Sequence, residues 1–149
     1  MKNFNQQLVA LTMATLRADG KMEAAEVEVI KRVAKDLECD DIEITQLLMQ
    51  ENEKQSKCAD IRKYIAEVGK MVEDIKDKQL IMEACIQVAL ADKVLDTKEV
   101  AVLLMICRAL DCGLERLICN IAIFAQNDRE IKIDGSDVIF EEEFIEEEN

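Results

Sequence analysis

A fourteen-residue pattern occurs twice in this chain, as RADGKMEAAEVEVI from Arg17 to Ile30 and as LADKVLDTKEVAVL from Leu90 to Leu103. The stretches lie 73 residues apart, Asp19 against Asp92, and at that offset Ala18/Ala91, Glu26/Glu99, Val27/Val100, Val29/Val102, Leu37/Leu110 and Cys39/Cys112 are also identical pairs. Two copies of one helical unit are the simplest source of such a period. In 149 residues they leave room for one domain, which at this size buries about two thirds of the surface of its unfolded form.

Composition points to the same class. Half the residues are hydrophobic but only 3% are aromatic, with no Pro, no Trp and four Gly. Chain breakers are scarce, so Leu, Ile, Val, Met and Ala must fill the core of an all-helical protein. The net charge of −13 repels phosphate backbones and argues against nucleic acid as a partner. From Asp134 onward there are eight acids and no base, leaving −5 on the remainder, so a mildly acidic body carries a strongly acidic tail. Polar residues interrupt the early apolar stretch MKNFNQQLVALTMATLRADGK and no small-residue cleavage site follows, unlike a signal peptide. The apolar runs at Leu80–Ala91 and Val100–Leu110 are too short to span a bilayer, and a cytoplasmic location is expected.

Apolar spacing predicts helices over Asn3–Ala18, Glu23–Leu37, Asp40–Glu53, Ser56–Ile75, Ile81–Ala91, Val100–Leu110 and Leu114–Ala125, with a turn at Lys76–Asp77. The expected fold is a compact all-α bundle of about seven helices with an internal pseudo-twofold repeat. The runs at Ile81–Ala91 and Val100–Leu110 are apolar nearly all round and should form its centre. After residue 127 the pattern changes: Ile131 and Ile133, then Val138 and Phe140, alternate around Asp134-Gly135-Ser136-Asp137. This divides the chain into a helical domain, 1–127, and an acidic tail, 128–149, that is extended or forms a small hairpin.

The six cysteines, Cys39, Cys58, Cys85, Cys107, Cys112 and Cys119, form no C-x-x-C, and without histidine no common zinc set is complete. Reduced thiols are expected. Cys85, Cys107 and Cys119 fall in apolar helical stretches where cysteine packs as a small hydrophobe, with redox or thiophilic-oxyanion chemistry as the alternative.

Each copy places its acids in an interhelical loop and the following first turn: Asp19, Glu23 and Glu26 in one, Asp92, Asp96 and Glu99 in the other. The first matches the end of a calcium-binding EF-hand loop, D-G-x5-E. The positions that would supply the earlier ligands hold Thr15 and Arg17, or Val88 and Leu90, all on the preceding helix, so that reading fails. If the copies pair, six carboxylates converge, and such an oxygen set selects a hard divalent cation, Ca²⁺ or Mg²⁺. The competing role is structural. First-turn acids stabilise helices, and Asp96-Thr97-Lys98-Glu99 fits a capping box. Lys93 stands where the first loop has Gly20 and offers the acids an ammonium in place of a metal. No enzyme is expected: there is no histidine base, nucleophile motif or phosphate-cradling glycine loop.

The two loops together, A-D-G-x5-E and A-D-x6-E at this separation, resemble the tellurite-resistance TerB-like family over roughly Asn3 to Ala125. Asp19, Gly20, Glu26, Asp92 and Glu99 are the matching positions, to which geometry adds Glu23 and Asp96. The resemblance implies a pseudo-symmetric all-α domain of about seven helices. It also implies a non-enzymatic role in bacterial resistance to tellurite and related stresses, with divalent-metal binding by the loop acids and protein partners of a stress-response system at the inner face of the membrane. The same fold serves elsewhere as an interaction module, including in a DnaJ-like co-chaperone, which leaves a protein–protein function open. Lys93 departs from the pattern, and the acidic tail lies outside it.

Overall fold

With so few chain breakers, helices run until an aspartate cap restarts them. The computed structural model describes residues 2–19, 24–91, 94–127 and 132–134. Among these are seven α-helices: α1 (Lys2–Leu16), α2 (Ala24–Asp36), α3 (Asp41–Ser56), α4 (Ile61–Met71), α5 (Ile75–Ala89), α6 (Thr97–Ala109) and α7 (Leu114–Asn127). One 3-10 turn, Arg17–Asp19, follows α1, and two three-residue strands, β1 (Val94–Asp96) and β2 (Lys132–Asp134), complete the all-α architecture.

Aspartate side chains cap the starts of α3, α4, α5 and α6, the last described below. Asp40 accepts the Glu43 N–H at 3.1 Å, Asp60 the Lys63 N–H at 3.2 Å, and Asp74 the N–H groups of Lys76 and Asp77 at 2.7 and 3.2 Å. The last two correct the sequence reading. The chain turns ahead of Asp60 and ahead of Asp74, so Lys76 and Asp77 lie in the first turn of α5 instead of in a turn of their own.

Helix boundaries follow the 73-residue offset. Lys2 and Leu16 bound α1 as Ile75 and Ala89 bound α5, and Ala24 and Asp36 bound α2 as Thr97 and Ala109 bound α6. The exits correspond as well. Glu38 and Asp111 sit in the left-handed region with φ of 63° and 55°. Cys39 N–H donates to Ala34 O at 3.0 Å, and Cys112 N–H donates to Cys107 O at 2.9 Å. Both are the six-to-one bond of a Schellman cap, which turns the chain sharply from one helix into the next.

The most enclosed helix is α1, which packs on α2, α3, α4, α5 and α6. This differs from the expectation that α5 and α6 alone form the centre: α1 joins them there, with every residue from Leu8 to Leu16 buried. Polar residues had disguised α1, and Thr12, Thr15 and Asn5 find partners that permit burial. Thr12 Oγ1 donates to Leu8 O at 2.6 Å, Thr15 Oγ1 to Leu11 O at 2.9 Å, and Asn5 Nδ2 to Glu43 Oε2 at 3.1 Å. Gln55 Nε2 reaches from α3 to Ala10 O at 2.8 Å and to Glu51 Oε2 at 3.2 Å. Glu51 is only 2% exposed, and its oxygens also accept the Tyr64 hydroxyl at 2.7 and 2.8 Å. Burial, then the hydrogen bond and charge of Glu51, hold that hydroxyl protonated above the usual tyrosine range.

The first tail strand does not turn back on itself within the described residues. β2 runs parallel to β1, with Val94, Leu95 and Asp96 opposite Lys132, Ile133 and Asp134. The hairpin reading of the remaining tail, including Val138 and Phe140, falls outside the described residues.

A close crossing of α4 and α6 yields a prediction. A Cβ built on Gly69 would lie against the Ala109 methyl and within 2.9 and 3.0 Å of the Ala109 carbonyl carbon and oxygen, which are backbone and cannot swing aside. Gly69→Ala should therefore lower the unfolding free energy by about 1–3 kcal/mol in urea titration, despite alanine's higher helix propensity.

Candidate functional site

The six loop acids meet different fates. In the first copy Asp19 closes the 3-10 turn, Glu26 lies half-buried in the first turn of α2, and the Asp19 side chain and Glu23 fall outside the described residues. In the second copy Asp92 and Lys93 fall outside them, while Asp96 and Glu99 are well placed. The 3-10 turn packs against α6, so the exit of α1 lies beside the helix that Asp96 caps.

Asp96 and Glu99 form the reciprocal cap that their spacing predicts. Asp96, with extended backbone at φ −95° and ψ 171°, accepts the Glu99 N–H on Oδ1 at 2.9 Å, and Glu99 Oε1 accepts the Asp96 N–H at 3.3 Å. Glu99 is 6% exposed, unusually enclosed for a first-turn acid. Each carboxylate thus commits one oxygen to a backbone N–H at the start of the helix. Among the described residues no three metal-competent side chains converge. A cation held at these loops would have an all-oxygen donor set, suited to Ca²⁺ or Mg²⁺, drawn from Glu26, Asp96 and Glu99 together with Asp19, Glu23 and Asp92.

Two neighbours of the loops were not read as such from sequence. Arg17 donates through Nη2 to Asn52 O at 3.0 Å and to Asn52 Oδ1, tying the entrance of the first loop to α3. β2 brings the backbone of Asp134 alongside Asp96, placing the start of the acidic tail beside the second loop. The alternation of Ile131 and Ile133 signalled a strand but not its partner, because parallel pairing across 38 residues leaves no local trace.

Of the cysteines, Cys85 and Cys107 are buried, and burial pushes the Cys85 thiol up to about 12. Cys119 differs from the core role expected of it: α7 turns it outward, exposed between Ile118 and Asn120.

An all-α domain of seven helices with paired acidic interhelical loops is the class these features define. A family model, Tellurite resistance protein TerB, matches residues 5–118, and the chain belongs to that family. Comparisons with curated proteins and with solved structures return no match. Among the described residues no helix is long and apolar enough to cross a membrane.

The cap can be tested separately from any ligand. Asp96→Ala should cost about 0.5–2 kcal/mol of stability in chemical denaturation without added cation, whereas Asp96→Asn, which keeps an acceptor, should cost much less.

Proposed function

We propose that this protein serves a tellurite-resistance-like stress response without catalysing a reaction, by binding a divalent cation at its two acidic loops. Asp19, Glu23, Glu26, Asp92, Asp96 and Glu99 supply the oxygens. The observation that carries the reading is the packing of the first loop's 3-10 turn against α6, whose first turn encloses Glu99. A carboxylate withdrawn from water requires donors or a cation to remain charged, and the repeated loops supply acids from both sides. Matched helix boundaries support a pseudo-twofold pairing of the copies, which would bring the two acid sets toward each other.

A second reading has its own support. The Asp96–Glu99 box gives the second-loop acids a purely structural role. The outer face of α7 leaves Leu114, Ile118 and Ile123 more than half exposed, as a surface that binds another protein would. In that reading the protein is an interaction module of the same response, inside the cytoplasm, with protein partners at the inner membrane face.

Thermal unfolding against added Ca²⁺ or Mg²⁺ separates the two. At a cation concentration 100 times Kd, binding adds about 2.7 kcal/mol, raising Tm by about 5–10 °C for a domain of this size. The Asp19→Ala/Asp92→Ala variant should lose that rise. A wild-type Tm indifferent to both cations would reject the cation reading in favour of the interaction module.

A further inference from the structure

The two matched Schellman caps carry different chemistry. The first joins Ala34 to Cys39, whereas the second joins Cys107 to Cys112, so only the second copy brings two thiols to the ends of one tight hydrogen-bonded turn. The 2.9 Å bond between Cys112 N–H and Cys107 O limits their Cα separation. Carried through the intervening covalent bonds, it allows at most about 6.8 Å, the upper edge of the range a disulfide spans. The Cys107 thiol already lies against its neighbour, 3.2 Å from Cys112 O and 3.7 Å from Gly113 O. Rotation about the Cα–Cβ bonds is the motion needed to bring sulfur toward sulfur.

Their surroundings divide the work. Cys107 is 2% exposed, while Cys112 is half-buried in the wall of a groove of about 310 Å³ lined also by two bases, Lys78 and Arg116, and one acid, Asp111. In the first copy the corresponding groove around Cys39 is lined by Glu38, Asp40, Glu43 and Asp77, with Lys76. Burial raises the Cys112 thiol above its ordinary value, Lys78 and Arg116 pull it back, and Asp111 adds to the rise. Burial also raises Cys39, but there Glu43 adds to the effect. In a chain of net charge −13, Lys78 and Arg116 make the Cys112 groove a local seat for an anion beside a thiol.

We propose that Cys107 and Cys112 form a thiol–disulfide exchange site for an anionic low-molecular-weight disulfide, whose carboxylates are held by Lys78 and Arg116 beside Cys112. The Cys112 thiolate attacks one sulfur of the small disulfide, breaking its S–S bond and expelling one small thiol as a mixed disulfide forms. The Cys107 thiolate then attacks Cys112 Sγ and expels the second small thiol. Two protein thiols are oxidised to one disulfide, and the small disulfide is reduced to two thiols by the two electrons and two protons they give up.

The test uses the full-length reduced protein with oxidised glutathione, followed by peptide mass mapping without reductant. The expected product is a Cys107–Cys112 cross-link, 2 Da lighter than the dithiol by loss of two hydrogens. Cys107→Ala, which restores the residue found at Ala34, should stop at a glutathione adduct on Cys112. Lys78→Gln/Arg116→Gln should slow the reaction with oxidised glutathione by about tenfold and leave that with neutral hydroxyethyl disulfide unchanged. An adduct on Cys112 that persists in the wild type, or a Cys112 left unmodified while the exposed Cys119 reacts, would overturn the exchange site. Equal slowing with both disulfides would overturn the anion seat.

Discussion

The enclosure of α1 sets the terms for the rest of the structure. Where a helix is covered by five others, the polar side chains on its covered faces have no solvent to satisfy them and must be answered from within the protein. Thr12 and Thr15 answer locally by bonding back to their own helix, while Asn5 and the Ala10 carbonyl draw partners from α3. That demand places Gln55 and Glu51 on the inner face of α3, and Glu51 in turn fixes the Tyr64 hydroxyl on α4. The polar chain thus orients α3 and α4 against α1, where apolar packing alone would tolerate sliding.

One helical plan carries two unlike surfaces. The skeleton repeats at helix starts, helix ends and left-handed exit residues, yet side chains at corresponding positions diverge: Arg17 against Leu90, Gly20 against Lys93, Ala34 against Cys107, Glu43 against Arg116. Some changes lie in the core, as Ala34 against Cys107, and others line grooves, as Glu43 against Arg116, while the retained Cys39/Cys112 pair stands in the wall of both grooves. A fold of this kind keeps its geometry while each half acquires separate chemistry.

Fold class was legible because helix periodicity and scarce chain breakers are local properties, and so was the Asp96–Glu99 cap, whose partners lie three residues apart. The central position of α1 was not. The segment read as one amphipathic helix, since nothing in the sequence states that Asn5, Thr12 and Thr15 close their hydrogen bonds within the protein. Buried Glu51 escaped for the same reason, its partners lying on other turns or other helices. The acids of the candidate site were named from spacing, but their convergence depends on how two distant loops pack. Cys119 was misplaced because α7 is amphipathic with apolar residues on both faces, and composition does not say which face turns inward.

The ladder between β1 and β2 has a kinetic implication. Its strands lie 38 residues apart and enclose all of α6 and α7, so closing it restricts a long segment for only three residues of pairing. Helices and their neighbouring contacts form from nearby residues and precede such a closure. With only three residues paired, the ladder adds few backbone hydrogen bonds of its own and opens at a lower free energy than the helical core. Amide exchange in Val94–Asp96 is then governed by a local opening that leaves α1 and α5 intact.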